Sequence, residues 1–561
     1  MKNRKPKGKD WKKRKDEPSG QPAAAGAPAQ ADIWPYAILV VVLATTLFVR
    51  LRLLGVPLER DEGEYAYIGQ QMLQGMAPYK AAYTMKFPGT AAFYAMFMLI
   101  FGQTAHGIHA GLAIVNLCSI AILFFMVKNL VGGFAAAAAS SAFALLSVGQ
   151  AVHGFAAHAT HYVALAGLAG AFLLLRAAES MKKKNLFLSG MVLGLAPIMK
   201  QPGIFFLVFG ACFLILRMFL RKEQDARDGM GRLGIFCLGG AVPALLMFLF
   251  LIVVGVFDKF WFWTYQYASE YGRLVDLKSG IANLGRMFLP IFLAYFLVMV
   301  SAGLGVAAVF IHPELRGGGK KSFILLFLIF SFLSVCPGLY FRKHYFVTLL
   351  PAVSILFGVL LDYLWVMGAK DGRLNRWKAA GGIIFFLAIV GPVAAQSNYL
   401  FKMSPVFVSQ VAYGSNGFDR YPEIAKYISD NSAKDDTVAI LGSEPQLLFY
   451  SRRQSATGHI YMYGLVDGNS FASRMQREME SEVEAAAPKF LIVVENMLSW
   501  LPGKKYDDHL FKWADSFCLE RDYSLVGMVD LDPANPVFKW GEEAMSYHSW
   551  SNSYVKIFER R

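Results

Sequence analysis

Three carboxylates fall within four residues, at Asp61, Glu62 and Glu64, directly after the first long apolar run of the chain. The pattern of residues 64–73, ended by Gly75, predicts a short amphipathic helix lying along the membrane surface. Asp61 and Glu62 then sit at its positive N-terminal end, at headgroup depth. A carboxylate placed there can orient a hydroxyl and take its proton. An Asp with an ordinary pKa of about 4 is already ionised for that work. Helix capping in a solvated loop would use the same residues, and an Asp-Glu pair alone does not separate the two.

The elements that must position these groups are membrane spans. Of 561 residues, 55% are hydrophobic and 17% charged, and the mean hydropathy is +0.40. Soluble proteins carry about a quarter charged residues, so a single soluble globule is excluded. Five cysteines without a CxxC or Cys/His spacing exclude a disulfide scaffold and a zinc module. Net charge is +15, yet residues 397–561 hold 17 Lys and Arg against 22 Asp and Glu. The excess therefore lies in the N-terminal tail and short loops, which fits a positive-inside signal and not nucleic-acid binding. Nine Lys or Arg crowd residues 1–15, so residues 1–33 read as a disordered cytosolic tail and 35–54 as a retained first span.

Basic loops at 181–184, 221–232, 312–321 and 370–378 mark the inner side. The outer side then receives the first loop 55–87, the break at Lys200, 257–286, the turn 337–345 and everything after 397. Four apolar runs (88–102, 110–127, 133–149 and 158–176) lie where an odd number of crossings is required, and the first is short. About 11 crossings are expected over a transmembrane module 34–396. Beyond it a helix at 421–431 and strands at 437–441, 490–495 and 554–558 predict an extracytoplasmic α/β domain over 397–561.

Lys86, Lys200, Arg342 and Lys343 all fall on the outer side, where snorkelling at span ends is their ordinary role. His158 and His161, three apart, share a helical face near His153, but no Asp or Glu neighbours them in sequence, and no metal site is assigned. The stretch 260–267, with Phe260, Trp261, Phe262, Trp263, Tyr265 and Tyr267, is either an interfacial aromatic belt or a stacking surface for a sugar. Tyr271 and Arg273 extend either role.

The ordered motifs Asp61-Glu62, Tyr65, Met72-Leu73-Gln74-Gly75, Pro78-Tyr79 and Lys86-Phe87-Pro88 resemble the first outer loop of GT-C glycosyltransferases. The similarity is to the polyprenyl-phosphate-dependent branch that contains protein O-mannosyltransferases and lipid A aminoarabinose transferases. Phe87 stands where that family has the first of two prolines. Arg342-Lys343-His344-Tyr345 and the stretch 438–453 continue the likeness. The resemblance implies that Asp61 is a general base, that the anomeric configuration inverts, and that Glu62 positions Asp61 or the acceptor. It further implies that Lys86, Lys200, Arg342 and Lys343 hold the donor phosphate, with Arg342 and Lys343 sharing one role. A substrate pocket is expected from Glu64, Tyr65, Tyr79, His158, His344 and Tyr345.

The function expected is transfer of a sugar from a polyprenyl-monophosphate carrier to a lipid, glycan or protein hydroxyl outside a bacterial inner membrane. No cofactor is expected, a divalent metal being the one alternative. A flippase for lipid-linked sugars would show inverted repeats and midplane charges, which the chain lacks. A membrane-anchored sensor working through 397–561 would leave the Asp-Glu loop without a purpose.

Overall fold

The computed structural model describes residues 33–221, 226–317, 319–370, 376–502, 508–532 and 536–561. The basic tail lies outside the described residues except for Ile33, as do parts of the loops 221–232 and 370–378.

Seven described helices are long and apolar enough to cross a membrane: Trp34–Arg52, Ala105–Leu130, Ala159–Ser180, Gln201–Phe219, Arg227–Val253, Leu350–Gly368 and Arg376–Ala395. Exposed Leu, Ile and Val side chains such as Leu249, Ile252, Ile383 and Val390 face outward from them, where only lipid suits them. The protein is an integral membrane protein. The run at 88–102 forms only the 13-residue helix Gly89–Phe101, and that at 133–149 the 16-residue helix Gly133–Val148. The span expected over 287–311 is instead broken at Tyr295 into Leu277–Ala294 and Phe296–Ile311, bent by 104°. Buried Tyr295 donates its hydroxyl to Gln396 at 3.2 Å, which fixes the bend against the last span.

In the first outer loop the helix runs over Arg60–Leu73, four residues longer at its start than expected. Glu59 and Glu62 form a reciprocal capping box, each side chain accepting the other's backbone N–H (3.0 and 3.3 Å). Almost every residue from Arg60 to Gln71 is buried within the protein, so no face of this helix is left to solvent. Glycines permit that two-sided packing. A Cβ at Gly63 would stand 2.5 Å from the Gln446 backbone nitrogen, and one at Gly69 would stand 2.8 Å from the Ala91 carbonyl.

All described strands follow residue 436. They are β1 (Thr437–Leu441), β2 (Gln454–Ser455), β3 (Phe490–Glu495), β4 (Tyr523–Asp530), β5 (Phe538–Trp540) and β6 (Tyr554–Arg560), in the order β2-β1-β3-β6-β4-β5. The β1–β2 and β1–β3 pairs are parallel, the others antiparallel. Ile440, Ile492 and Ile557 pair in register across the buried centre. The region is seated on the first-loop helix: Arg60 pairs with buried Glu444 at 2.6 Å, and the Tyr67 hydroxyl accepts from Ser455 N at 2.9 Å.

Candidate active site

A cavity of about 400 Å³ opens beside the start of the Arg60–Leu73 helix. Asp61, Glu64, Tyr65 and Lys86 line one wall, Lys200, Arg342 and Tyr345 another, and Tyr461 and Tyr463 of the C-terminal region a third. Two ties hold the separate loops together. Gln201 donates to the Met85 carbonyl at 2.6 Å, and Thr90 to the Met199 carbonyl at 2.9 Å, which fixes the Lys200 break against the end of the first loop. The turn that carries Arg342 holds Leu339 and Phe341 at positive φ (56° and 48°), a strained backbone kept by the packing of buried Phe341.

Lys86 Nζ lies 2.6 Å from Asp61 Oδ1 and 2.5 Å from Glu64 Oε2, above the Tyr65 ring. Burial alone would raise the Asp61 pKa, but Lys86, Arg342 and His158 pull it well below the ordinary range, so Asp61 is ionised. Glu64 goes the other way, since burial and the charge of Asp61 raise it in spite of Lys86. Lys86 was expected among the phosphate-holding cations, and the structure gives it two carboxylates instead.

Lys200 Nζ sits 3.8 Å above the Tyr345 ring. Burial, helped by Lys86 and Arg342 and opposed by Asp61, lowers its pKa to about 7. Arg342 lies over the Tyr340 ring and donates to the Tyr271 hydroxyl at 3.5 Å. Burial works against its charge, yet Tyr271, Tyr345 and Asp61 raise its pKa, so it stays a cation.

Not every expected residue reaches the cavity. Glu62 turns away from it, accepting from Ala157 N at 2.6 Å and contacting His109 Nε2 at 2.9 Å. Those contacts hold its pKa down against burial and tie the helix start to the break at 149–158. Tyr79 is buried with its hydroxyl donated to the Lys86 carbonyl at 2.7 Å. Lys343 does not line the cavity, and its charge acts on His153 instead.

The expected lack of an acid near the histidines does not hold in three dimensions. Asp61, His158 and His344 bring one carboxylate oxygen and two ring nitrogens within 4.8 Å of one another, a donor set that divalent ions accept. Burial lowers the His158 pKa to about 4, and neither of its ring nitrogens has a hydrogen-bond partner. The two rings, however, lie face to face, with centroids 3.8 Å apart and planes 13° apart. Ring lone pairs lie in plane, so both rings cannot meet one ion without one of them turning. Lys86 also already neutralises the carboxylate. As arranged, the residues do not fit a divalent ion.

The aromatic stretch divides by face. Trp261 and Tyr265 stack on each other at 4.6 Å and are exposed at 43% and 60%, as a belt would be, while Trp263 and Tyr267 are buried; Tyr265, Trp263 and Tyr267 all reach the cavity wall. A π-helical turn over Phe262–Tyr267 sets that alternation. Sequence reasoning missed two groups. Glu59, 3.5 Å from His158, was signalled by the Glu-x-x-Glu spacing with Glu62. Tyr461, 3.3 Å from Asp61, carried no local signal.

Residues 85–256 match the sequence model of the dolichyl-phosphate-mannose-protein mannosyltransferase family. Among solved structures, ArnT from Cupriavidus metallidurans bound to undecaprenyl phosphate is similar in fold at 14% identity and a TM-score of 0.58, over 94% of this chain and 98% of that one. The Archaeoglobus fulgidus oligosaccharyltransferase tethered to an acceptor peptide with an NVT sequon is similar at 12% identity and a TM-score of 0.50, over 93% of this chain and 76% of that one. No curated protein matches by sequence. The match over residues 85–256 and the shared fold agree with the first-loop motif: in that segment the chain is similar to the mannosyltransferase family, and its fold is similar to that of ArnT.

Proposed function

We propose that this protein transfers a sugar, with inversion, from a polyprenyl-monophosphate carrier to an acceptor hydroxyl on the outer side of the membrane. The observation that carries the reading is one carboxylate, Asp61, held ionised by Lys86 at 2.6 Å on the wall of a cavity that also holds Arg342 and Lys200. The acceptor oxygen attacks the anomeric carbon as the bond to the phosphate oxygen breaks, and that oxygen keeps the electron pair. Asp61 orients the acceptor O–H and takes its proton as the oxocarbenium-like transition state develops. Because Lys86 makes Asp61 a weak base, proton transfer comes late. The proton then passes on to solvent or to the released phosphate monoester, whose second pKa is about 6.

The leaving phosphate gains one negative charge, and Arg342 and Lys200 meet it. At the effective dielectric of a protein surface a unit charge pair at about 4 Å is worth about 4 kcal/mol, and each 1.4 kcal/mol gained only in the transition state is tenfold in rate. Two contacts that strengthen as the bond breaks therefore suffice for a large share of the catalysis. That ArnT was solved with undecaprenyl phosphate supports a polyprenyl phosphate donor here. The acceptor is a lipid sugar, a glycan or a protein hydroxyl.

The same reading puts residues 1–33 in the cytosol, about 11 crossings over 34–396, and the region 397–561 outside, in a bacterial inner membrane. The test is Asp61→Asn in membranes supplied with a polyprenyl-phosphate sugar. Transfer should fall by about 10²- to 10⁴-fold. Transfer at the wild-type rate would remove Asp61 as base.

A further inference from the structure

Asp61 uses its two oxygens unequally. Oδ1 accepts from Lys86 Nζ at 2.6 Å and from the Tyr461 hydroxyl at 3.3 Å. Oδ2 has His344 Nε2 at 3.9 Å, beyond hydrogen-bond reach. A carboxylate with both donors on one oxygen leaves the other open to a new partner, and Asp61 itself lines the cavity.

Tyr461 comes from a segment some 400 residues further along the chain, and that segment is held at several points. Met462 N donates to Ser443 Oγ at 2.9 Å, and Ser443 N in turn donates to Ser499 Oγ at 2.8 Å. The Tyr461 ring stands edge-on to Tyr463, whose hydroxyl is anchored on the Leu498 carbonyl at 3.0 Å. The same ring lies 5.5 Å from Lys86 Nζ, near enough to favour the ammonium that shares Oδ1. Burial and the charge of Asp61 raise the Tyr461 pKa well above 10, so its hydroxyl keeps the proton it donates.

We propose that Tyr461 is a positioning residue for the transfer: by holding Asp61 Oδ1 together with Lys86, it turns Oδ2 toward the acceptor hydroxyl and makes transfer conditional on the C-terminal region being seated on the first-loop helix. This rests on the reading of Asp61 as base. No bond to Tyr461 forms or breaks. Its contribution is to remove rotational freedom from the carboxylate at the moment of attack. The buried Arg60–Glu444 pair and the close approach of Gly63 to Gln446 supply the seating.

The test is Tyr461→Phe in the full chain in membranes, which keeps the ring and its packing and removes only the donor. Loss of a hydrogen bond to a charged group should lower kcat about tenfold, with KM for the polyprenyl-phosphate donor unchanged and the detergent-extracted protein equally monodisperse. In an Asp61→Asn background the same substitution should cost nothing further, since no base remains to be oriented. Wild-type kcat in Tyr461→Phe, or an undiminished extra loss in the Asp61→Asn background, would overturn the proposal. The two failures are distinct: an active Asp61→Asn variant sinks the base itself, while an inactive one beside a fully active Tyr461→Phe variant sinks only the role of Tyr461. If the Phe variant does not accumulate, Tyr461→His, which restores a donor on a ring, replaces it, and activity within tenfold of wild type is the result expected.

Discussion

Two lysines line one cavity and are shifted in opposite directions. Lys86, on the first outer loop, lies between Asp61 and Glu64, and although burial works against its charge, the two carboxylates raise its pKa well above the ordinary value. Lys200, at a helix break, has no ion pair among the described residues; it faces the Tyr345 ring, and burial lowers it to about 7. The residue type and the degree of burial are alike, so the difference lies in whether an opposite charge reaches the ammonium. It divides the labour. Lys86 is committed to keeping a carboxylate ionised, whereas on the proposed function Lys200 is the cation left for an anion that arrives with the substrate.

The largest effect should come from breaking the committed pair. Lys86→Met leaves Asp61 and Glu64 buried without their cation, and breaking a buried pair on one side costs about 3–5 kcal/mol. Part of that cost will disappear as Glu64, whose pKa burial already raises, takes up a proton once Lys86 is gone, so the lower end is expected. Transfer should fall by at least the loss expected for Asp61→Asn, and the midpoint of thermal unfolding in detergent should drop. A variant as stable as wild type would show that Lys86 is not the partner of Asp61.

Lys200→Met should act the other way on stability. A lysine whose folded pKa is about 7 binds fewer protons folded than unfolded between about pH 7 and 10.4, so the unfolding free energy rises with pH across that window. The slope from this one group is at most about 1.4 kcal/mol per pH unit. The Met variant should lose that slope and be no less stable than wild type at pH 7. For donor binding the sign reverses. An anion needs the protonated lysine, so affinity for a polyprenyl phosphate should weaken as pH rises above about 7 in the wild type, and the Met variant should bind weakly at every pH. A wild-type affinity that is flat from pH 6 to 9 would take the phosphate away from Lys200.

The contrast also marks what the sequence could reveal. The positive-inside pattern puts Asp61, Lys86, Lys200 and Arg342 on one side, but only the resemblance to the GT-C first outer loop singles them out from capping and snorkelling residues; the structure brings all four to one cavity. The three strands at 437–441, 490–495 and 554–558 were legible from β-branched runs between turns, whereas β2 is two residues long and β4 carries Gly527 where its register shifts. What stayed hidden needed tertiary contact. The pairing of Lys86 with two carboxylates closes the first loop on itself over more than 20 residues, and the approach of His158 and His344 to Asp61 and the Tyr461 hydroxyl join segments far apart in the chain. The cover over the first-loop helix stayed hidden in the same way, since polar partners from distant segments, among them Glu444 on Arg60 and His109 on Glu62, supply it.

The smallest effect should separate two adjacent cations, Arg342 and Lys343, which the sequence treats as one. Arg342 has an extended backbone (φ −57°, ψ 145°) immediately before the turn Lys343–Thr348, and successive side chains in extended backbone point to opposite sides. Arg342 therefore enters the cavity over Tyr340, and Lys343 leaves it toward His153. If the proposed function holds, Arg342→Met removes the charge that would meet the leaving phosphate and should lower kcat about 10- to 100-fold, as loss of one charge-assisted contact to a developing anion does. Lys343→Met should stay within about twofold, because a half-buried cation off the cavity contributes only a screened field there. Equal losses in the two variants would mean that the phosphate is reached from both sides of the turn, and the distinction between committed and available cations would have to extend to a third lysine.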